Sequence, residues 1–230
     1  MKIYIGIFYK TLSVVLVLYA LIYGLLIDVP TDVGMLDETL RNLFYHVPMW
    51  FGMMILLFAS WICSIIYLFN YNTQFHVYSS ELTKTGIVMA MAGLFTGMLW
   101  GYSTWGYPWD RGDPKLNGVA IGLSMYLAYW VLQKSIEDET KKARLSAVYN
   151  VFVFPLFIAL ILIMPKLANF SVHPASGDTV NFKTYNNNNN MQYVFYPAVI
   201  GWTLLFVWIA EIKIRFKNLQ LKQQLKQLND

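Results

Sequence analysis

Six stretches of the chain are apolar almost without interruption: Phe8–Ile27, Leu43–Phe69, Leu82–Trp100, Leu116–Leu132, Leu145–Met164 and Tyr193–Ala210. Polar residues collect between them. Each stretch is near the ~20 residues that cross the hydrocarbon of a bilayer as a helix. The pattern predicts an all-α, polytopic membrane protein with six transmembrane helices in one domain (residues 1–211), followed by a basic cytoplasmic tail (residues 212–230). Leu116–Leu132 is the shortest run, and Gly118 and Gly122 dilute it. The first run is too long for a signal-peptide core and has no evident small-residue cleavage site, which predicts a retained helix.

An even number of spans puts both termini on one face, and the basic residues choose the face. Twelve of the 17 lysines and arginines fall on the side of the termini, and five (Arg41, Arg111, Lys115, Lys166 and Lys183) fall on the other. Positive residues favour the cytoplasm, so both termini are expected inside. The connections at Asp28–Asn42, Trp100–Leu116 and Lys166–Gln192 are then outside. Composition agrees with a membrane protein, since 57% of the 230 residues are hydrophobic and 13% are charged. The net charge of +4 reads as a topology signal and needs no nucleic-acid partner. The single cysteine, Cys63, lies within the second span, which speaks against disulfide exchange and thiolate metal sites.

The first outer connection, with Asp28, Asp32, Asp37, Glu38, Pro30 and Gly34, reads as a solvated cap built of turns. Gln74 to Glu81, containing His76, reads as a short inner loop. Ser135 to Arg144 reads as a helical extension followed by a turn. The Asn186–Asn190 run in the last outer connection is low-complexity sequence expected to stay mobile. Asn169-Phe170-Ser171 matches the N-glycosylation pattern, which has meaning only in a secretory pathway. Beyond Ala210, Lys213, Arg215, Lys217, Lys222 and Lys226 surround four leucines at partly helical spacing, which predicts a tail on anionic lipid headgroups, with a docking helix for a cytoplasmic partner as the alternative.

The candidate chemistry sits outside. From Trp100 to Lys115 the chain reads Trp-Gly-Tyr-Ser-Thr-Trp-Gly-Tyr-Pro-Trp-Asp-Arg-Gly-Asp-Pro-Lys. Rings at a membrane boundary commonly serve as anchors. Two Trp-Gly pairs followed by Trp109 and an acidic-Pro-basic triplet impose more shape than an anchor needs, and a glycine beside tryptophan lets the backbone bend while the ring faces a planar ligand. His46, in Tyr-His-Val-Pro, is held at the outer mouth of the second helix, with Pro48 in its first turn and Val47 expected extended. His173, in Ser-Val-His-Pro, follows the fifth span. His76 belongs to the opposite face.

Two neutral imidazoles from different segments can hold a metal ion or the two axial positions of a haem iron. A bare ion would call for further ligands, and the outer connections offer only Asp110, Asp113 and Asp178. A porphyrin brings four nitrogens of its own and asks for apolar and π surface, which Trp100, Trp105, Trp109, Tyr102 and Tyr107 can supply. The balance favours a planar metalloporphyrin. No nucleophile elbow, zinc-protease or phosphate-loop motif occurs, and no acidic residue lies mid-span. The span methionines Met53, Met54, Met89, Met91, Met98, Met125 and Met164 read as packing.

At these residues the chain resembles the six-span CcmC family of cytochrome c maturation, related to the larger CcsA type. The family's tryptophan-rich segment runs Trp-Gly-x-x-x-Trp-Gly-x-x-Trp-x-Trp-Asp-Pro/Ala-Lys/Arg-Leu. Trp100-Gly101, Trp105-Gly106, Trp109 and Asp113-Pro114-Lys115-Leu116 match it in order. The last family tryptophan is replaced by Gly112, and the segment is one residue longer. Tyr45-His46-Val47-Pro48 is similar to the family's Leu-His-Val-Pro.

The resemblance implies non-covalent haem b with His46 and His173 as axial ligands, and Trp100, Trp105, Trp109 and Asp113 as cofactor-binding residues. It further implies a site on the periplasmic side of a bacterial cytoplasmic membrane, a periplasmic haem chaperone of the CcmE type and an ABC-type complex of CcmA and CcmB as partners, and haem handling rather than enzymatic turnover. A CcsA-type component acting directly on apocytochrome, and a cofactor-free membrane transporter or scaffold, are the alternatives.

Overall fold

The computed structural model describes residues 2–29, 37–168, 171–173 and 189–229. All six apolar runs are helical: α1 (Lys2–Leu26), α2 (His46–Asn70), α3 (Thr73–Trp105), α4 (Pro114–Ser135), α5 (Glu139–Ile158) and α6 (Asn189–Asn229). A π turn, Ala159–Ile163, and a last helical turn, Met164–Leu167, extend α5. Large hydrophobic side chains such as Phe8, Phe69, Phe95 and Phe152 lie exposed around the outside, an arrangement a water-soluble monomer would not tolerate. Among the described residues, five helical segments, the first beginning at Gly6, are long and apolar enough to span a bilayer, and α4 is not one of them.

The composition of α4 follows from its packing. A Cβ on Gly118 would stand 2.5 Å from the carbonyl oxygen of Leu160 in the π turn, and one on Gly122 would stand 2.4 Å from a ring carbon of Phe157. The glycines that lower the hydropathy of α4 are thus the points where it meets the α5 rod, as small residues do between membrane helices. Gly118→Ala should therefore destabilise the fold by ~1–3 kcal/mol, the usual cost of overpacking, because the obstructing atom is backbone. Gly6→Ala, with nothing within 4 Å of its Cβ, should be neutral or slightly stabilising. Thermal unfolding of both variants in detergent, followed by tryptophan emission, checks the contrast.

At the centre, α2 and α3 form a hairpin over the two-residue turn Tyr71-Asn72. Tyr71 adopts φ 53° and closes α2 on Tyr67, while the Asn72 side chain accepts from the Gln74 N–H and starts α3. The core of Met53, Leu56, Leu57, Ile87, Met89 and Phe157 lies around this hairpin. A polar cluster crosses this core: the Asn150 amide on α5 donates to Ser60 and Ser64 on α2, both at 2.9 Å, and Ser60 is bonded to Ser79 and Thr83 on α3. On the other flank α1 lies against α6. Tyr9 donates to Glu211 there, and Lys10 pairs with the same carboxylate at 3.0 Å.

Several local expectations are corrected. Residues 74–81 are helical, because Ser79, Ser80 and Glu81 are buried against neighbours that bond them; His76 therefore sits on α3, its ring 5.7 Å from Tyr67. The connection between α1 and α2, expected to be a cap of turns, contains a packed 3-10 segment, Asp37–Phe44, with Phe44 and Leu40 buried. Its Arg41 donates to the Gly24 and Ile27 carbonyls (3.1 and 2.5 Å), closing the C-terminal end of α1. Val47 is helical, not extended, since α2 already begins at His46.

At the other end of the chain, α6 runs through residue 212 without a break, so the basic tail is a continuation of the last helix. A segment lying flat on headgroups would need a bend there. Pro30, Asp32, Gly34, Asn169, Phe170, Asp178, Lys183 and residues 186–188 of the asparagine run lie outside the described residues.

Candidate functional site

The chain places His46 at the first turn of α2, where α3 passes beside it. His46 Nδ1 is 2.8 Å from the Gly93 carbonyl oxygen, with Thr96 Oγ1 at 3.3 Å. A carbonyl only accepts, so Nδ1 carries the hydrogen and Nε2 keeps the lone pair. This is how proteins commonly orient an imidazole for a metal. The contact is close because position 97 is glycine: a Cβ there would lie 2.6 Å from His46 Cε1.

His173, more than a hundred residues later, comes to the same place. The two imidazole centres are 6.1 Å apart, and Trp50, four residues after His46 on the same helix face, is 6.0 Å from it edge-on. Two imidazoles at this spacing could hold one metal between them, each through a bond of about 2 Å.

The tryptophan-rich segment supplies the next wall. It is not a loop throughout: Trp100 to Trp105 form the last turns of α3, which ends on Gly106 at φ 81°. Only Gly106 to Asp113 is irregular. Trp100 and Trp105 meet edge-to-face with centres 4.9 Å apart, and Trp100 lies 6.1 Å from the His173 ring. His46, His173, Trp100, Trp105 and Trp109 line one cavity of about 900 Å³, open mouth included. Tyr102 and Tyr107 do not line it, although Tyr107 leans on Trp105.

The remaining lining was not nominated from sequence. Trp50 was discoverable from its i, i+4 relation to His46. Lys115 lines the cavity as its cationic group; in the sequence it belongs to the Asp-Pro-Lys-Leu match without being named as a binding residue. Ile161 and Leu162 enter through the π turn, a departure from α geometry that gathers at functional sites. Nothing in hydropathy reveals it.

Asp113 does not line the cavity. It is fully buried at the N-terminus of α4, where Oδ1 accepts from the Lys115 and Leu116 N–H groups at 2.8 and 3.0 Å. Oδ2 accepts from the Ser171 hydroxyl and the Val172 N–H, both at 2.7 Å. Burial pushes the Asp113 carboxyl up, but these four hydrogen bonds outweigh it and hold the group below the ordinary carboxylate range. The residue by which this segment exceeds the family pattern is absorbed in a turn, with the Gly112 N–H on Asp110 Oδ1 (2.7 Å) and the Asn117 amide on the Arg111 carbonyl (2.8 Å).

The donor set suits a porphyrin better than a bare ion. Among the described residues, no three His, Cys, Asp or Glu side chains converge, while two imidazoles, four indoles and one cation surround an apolar space. A family model described as heme exporter protein C, CcmC, matches residues 3–229. The chain belongs to the CcmC family. Curated relatives named heme exporter protein C agree with that placement. The Paracoccus denitrificans protein is 26% identical over 178 residues, covering 77% of this chain and 72% of the relative. The Bradyrhizobium diazoefficiens protein is 32% identical over 193 residues, covering 80% and 72%. The Rhodobacter capsulatus protein is 24% identical over 188 residues, with 77% and 72% covered. CcmC membership spans the full bundle, including both histidine-bearing segments.

Proposed function

We propose that this chain holds haem b non-covalently between His46 and His173 and presents it to a periplasmic haem chaperone of the CcmE type, acting with an ABC-type CcmA/CcmB complex. It does so at the outer face of a bacterial cytoplasmic membrane. The observation that carries the reading is the convergence of two distant imidazoles, 6.1 Å apart, in a cavity walled by Trp50, Trp100, Trp105 and Trp109. As a member of its family the chain handles haem and is not an enzyme. Both termini are assigned to the cytoplasm, and α4 is counted as a sixth span, because the basic residues then divide twelve to five in favour of the inside.

When bound, haem supplies the iron and four of its ligands. The chain's residues do the rest. Gly93 fixes the His46 tautomer through its carbonyl. The indoles exclude water and offer flat contact, worth ~0.5–1.5 kcal/mol per aromatic pair beyond area burial. Lys115 is placed to meet an acidic substituent at the cavity edge. Trp105 and Trp109, at the end of α3 and in the irregular segment that follows it, are the rings a docking chaperone would meet first.

Purified protein should carry low-spin haem with a Soret band and transfer it to the chaperone on mixing. The Trp105→Ala/Trp109→Ala double variant should keep much of its haem but load less chaperone at matched membrane expression. Colourless protein that stays colourless after haem addition would overturn the proposal in favour of a cofactor-free scaffold. Full chaperone loading by the double variant would reduce the rings to membrane anchors.

A further inference from the structure

The Asp113 carboxylate has one oxygen more than its helix needs. Capping α4 occupies Oδ1 alone, and serine or asparagine would cap as well as aspartate. A buried carboxylate is expensive unless its lone pairs are filled, and Oδ2 is filled entirely from Ser171 and Val172, the two residues before His173. The Ser171 hydroxyl oxygen in turn accepts the His173 N–H at 3.1 Å. Three consecutive residues of a distant segment are thereby tied, directly or through one hydroxyl, to a side chain seated on the first turn of α4.

We propose that Asp113 is a positioning residue: its carboxylate clamps the Ser171–His173 segment to α4 and so fixes where the His173 imidazole stands in the cavity. It acts on the ligand through His173 and does not itself line the space. The spectroscopic half of its test rests on the haem reading above; the backbone half does not.

Asp113→Ser retains a cap for α4 and removes the second oxygen. In ligand-free protein, hydrogen exchange should show residues 171–173 losing protection at least several-fold while the first turns of α4 keep theirs. In haem-loaded protein, Asp113→Ser should shift the spectrum from low-spin towards the high-spin form given by His173→Gly, with added imidazole restoring part of the low-spin signal. Ser171→Ala, which leaves the α4 cap untouched, should produce a weaker change in the same direction. It also keeps the idea testable if the Asp113 variant fails to accumulate.

Unchanged protection at 171–173 in both variants would overturn the clamp, as would equal deprotection of α4, which would reduce Asp113 to a helix cap. If His173→Gly itself leaves the spectrum unchanged, the haem-ligand assignment fails instead, and hydrogen exchange still decides the clamp. A normal Asp113→Ser spectrum beside an altered His173→Gly spectrum would show that the imidazole finds its place unaided and would overturn the proposal.

Discussion

Replacing both His46 and His173 by glycine should leave the purified protein with less than about a tenth of the wild-type Soret absorbance per mole. That loss corresponds to at least ~1.4 kcal/mol of binding. The two imidazoles face one cavity from opposite parts of the chain, and no other described residue brings a histidine there. Each single variant should retain haem in a high-spin form, since one ligand remains and the rings still enclose the space. Millimolar imidazole should return part of the low-spin spectrum to either single variant. The His46 variant should respond more sharply, because the glycine vacates a slot already bounded by the Gly93 carbonyl and Gly97. An unchanged low-spin spectrum in the double variant would sink the ligand assignment.

Gly97→Ala should nearly match the loss of a histidine without touching one. Its Cβ would meet His46 Cε1 at 2.6 Å, closer than packed carbon atoms come, and Nδ1 at 3.0 Å. The imidazole is anchored to Gly93 and cannot swing away without giving up that bond. Overpacking of this kind costs ~1–3 kcal/mol, or roughly a tenfold to hundredfold fall in haem affinity. Haem titration of detergent-purified apoprotein measures it. Thermal stability of the apoprotein should fall as well, because the ring escapes the added methyl only by giving up the Gly93 bond. Wild-type affinity in Gly97→Ala would show that His46 has freedom its contacts deny.

The helices were legible because lipid-facing apolar runs are long and nearly uninterrupted. Their ends were not. The N-terminal part of α3 passes through Ser79, Ser80 and Glu81, polar residues that belong in a helix only because Ser60, Gln133 and Lys84 meet them. Hydropathy sees their polarity and not their partners. The constraint that Pro48 places on Val47 gave way because a proline in the first turn leaves the helical hydrogen bonds of its neighbours intact.

Residue type and family resemblance single out His46, His173, Trp100, Trp105 and Trp109, which line one cavity, but their mutual distance depends on packing that no spacing encodes. Trp50 was missed because a single tryptophan near a helix end looks like any other interfacial residue, and Lys115 because its place in the motif does not say which way its side chain lies. Asp113, which the family resemblance places among the cofactor-binding residues, stands outside the cavity lining, and its four hydrogen-bond donors are all protein.

A length argument follows from the unbroken course of α6. At 1.5 Å per residue, its 41 residues reach about 60 Å, twice the ~30 Å of hydrocarbon. A tilted helix shortens that excess but does not remove it. About half of α6 must therefore stand clear of the lipid. The half that carries Lys213, Arg215, Lys217, Lys222 and Lys226 is the one that water or a neighbouring protein must solvate, as a mast stayed at its base by Glu211 on Lys10, Lys213 on Glu81 and Asn218 on Gln74.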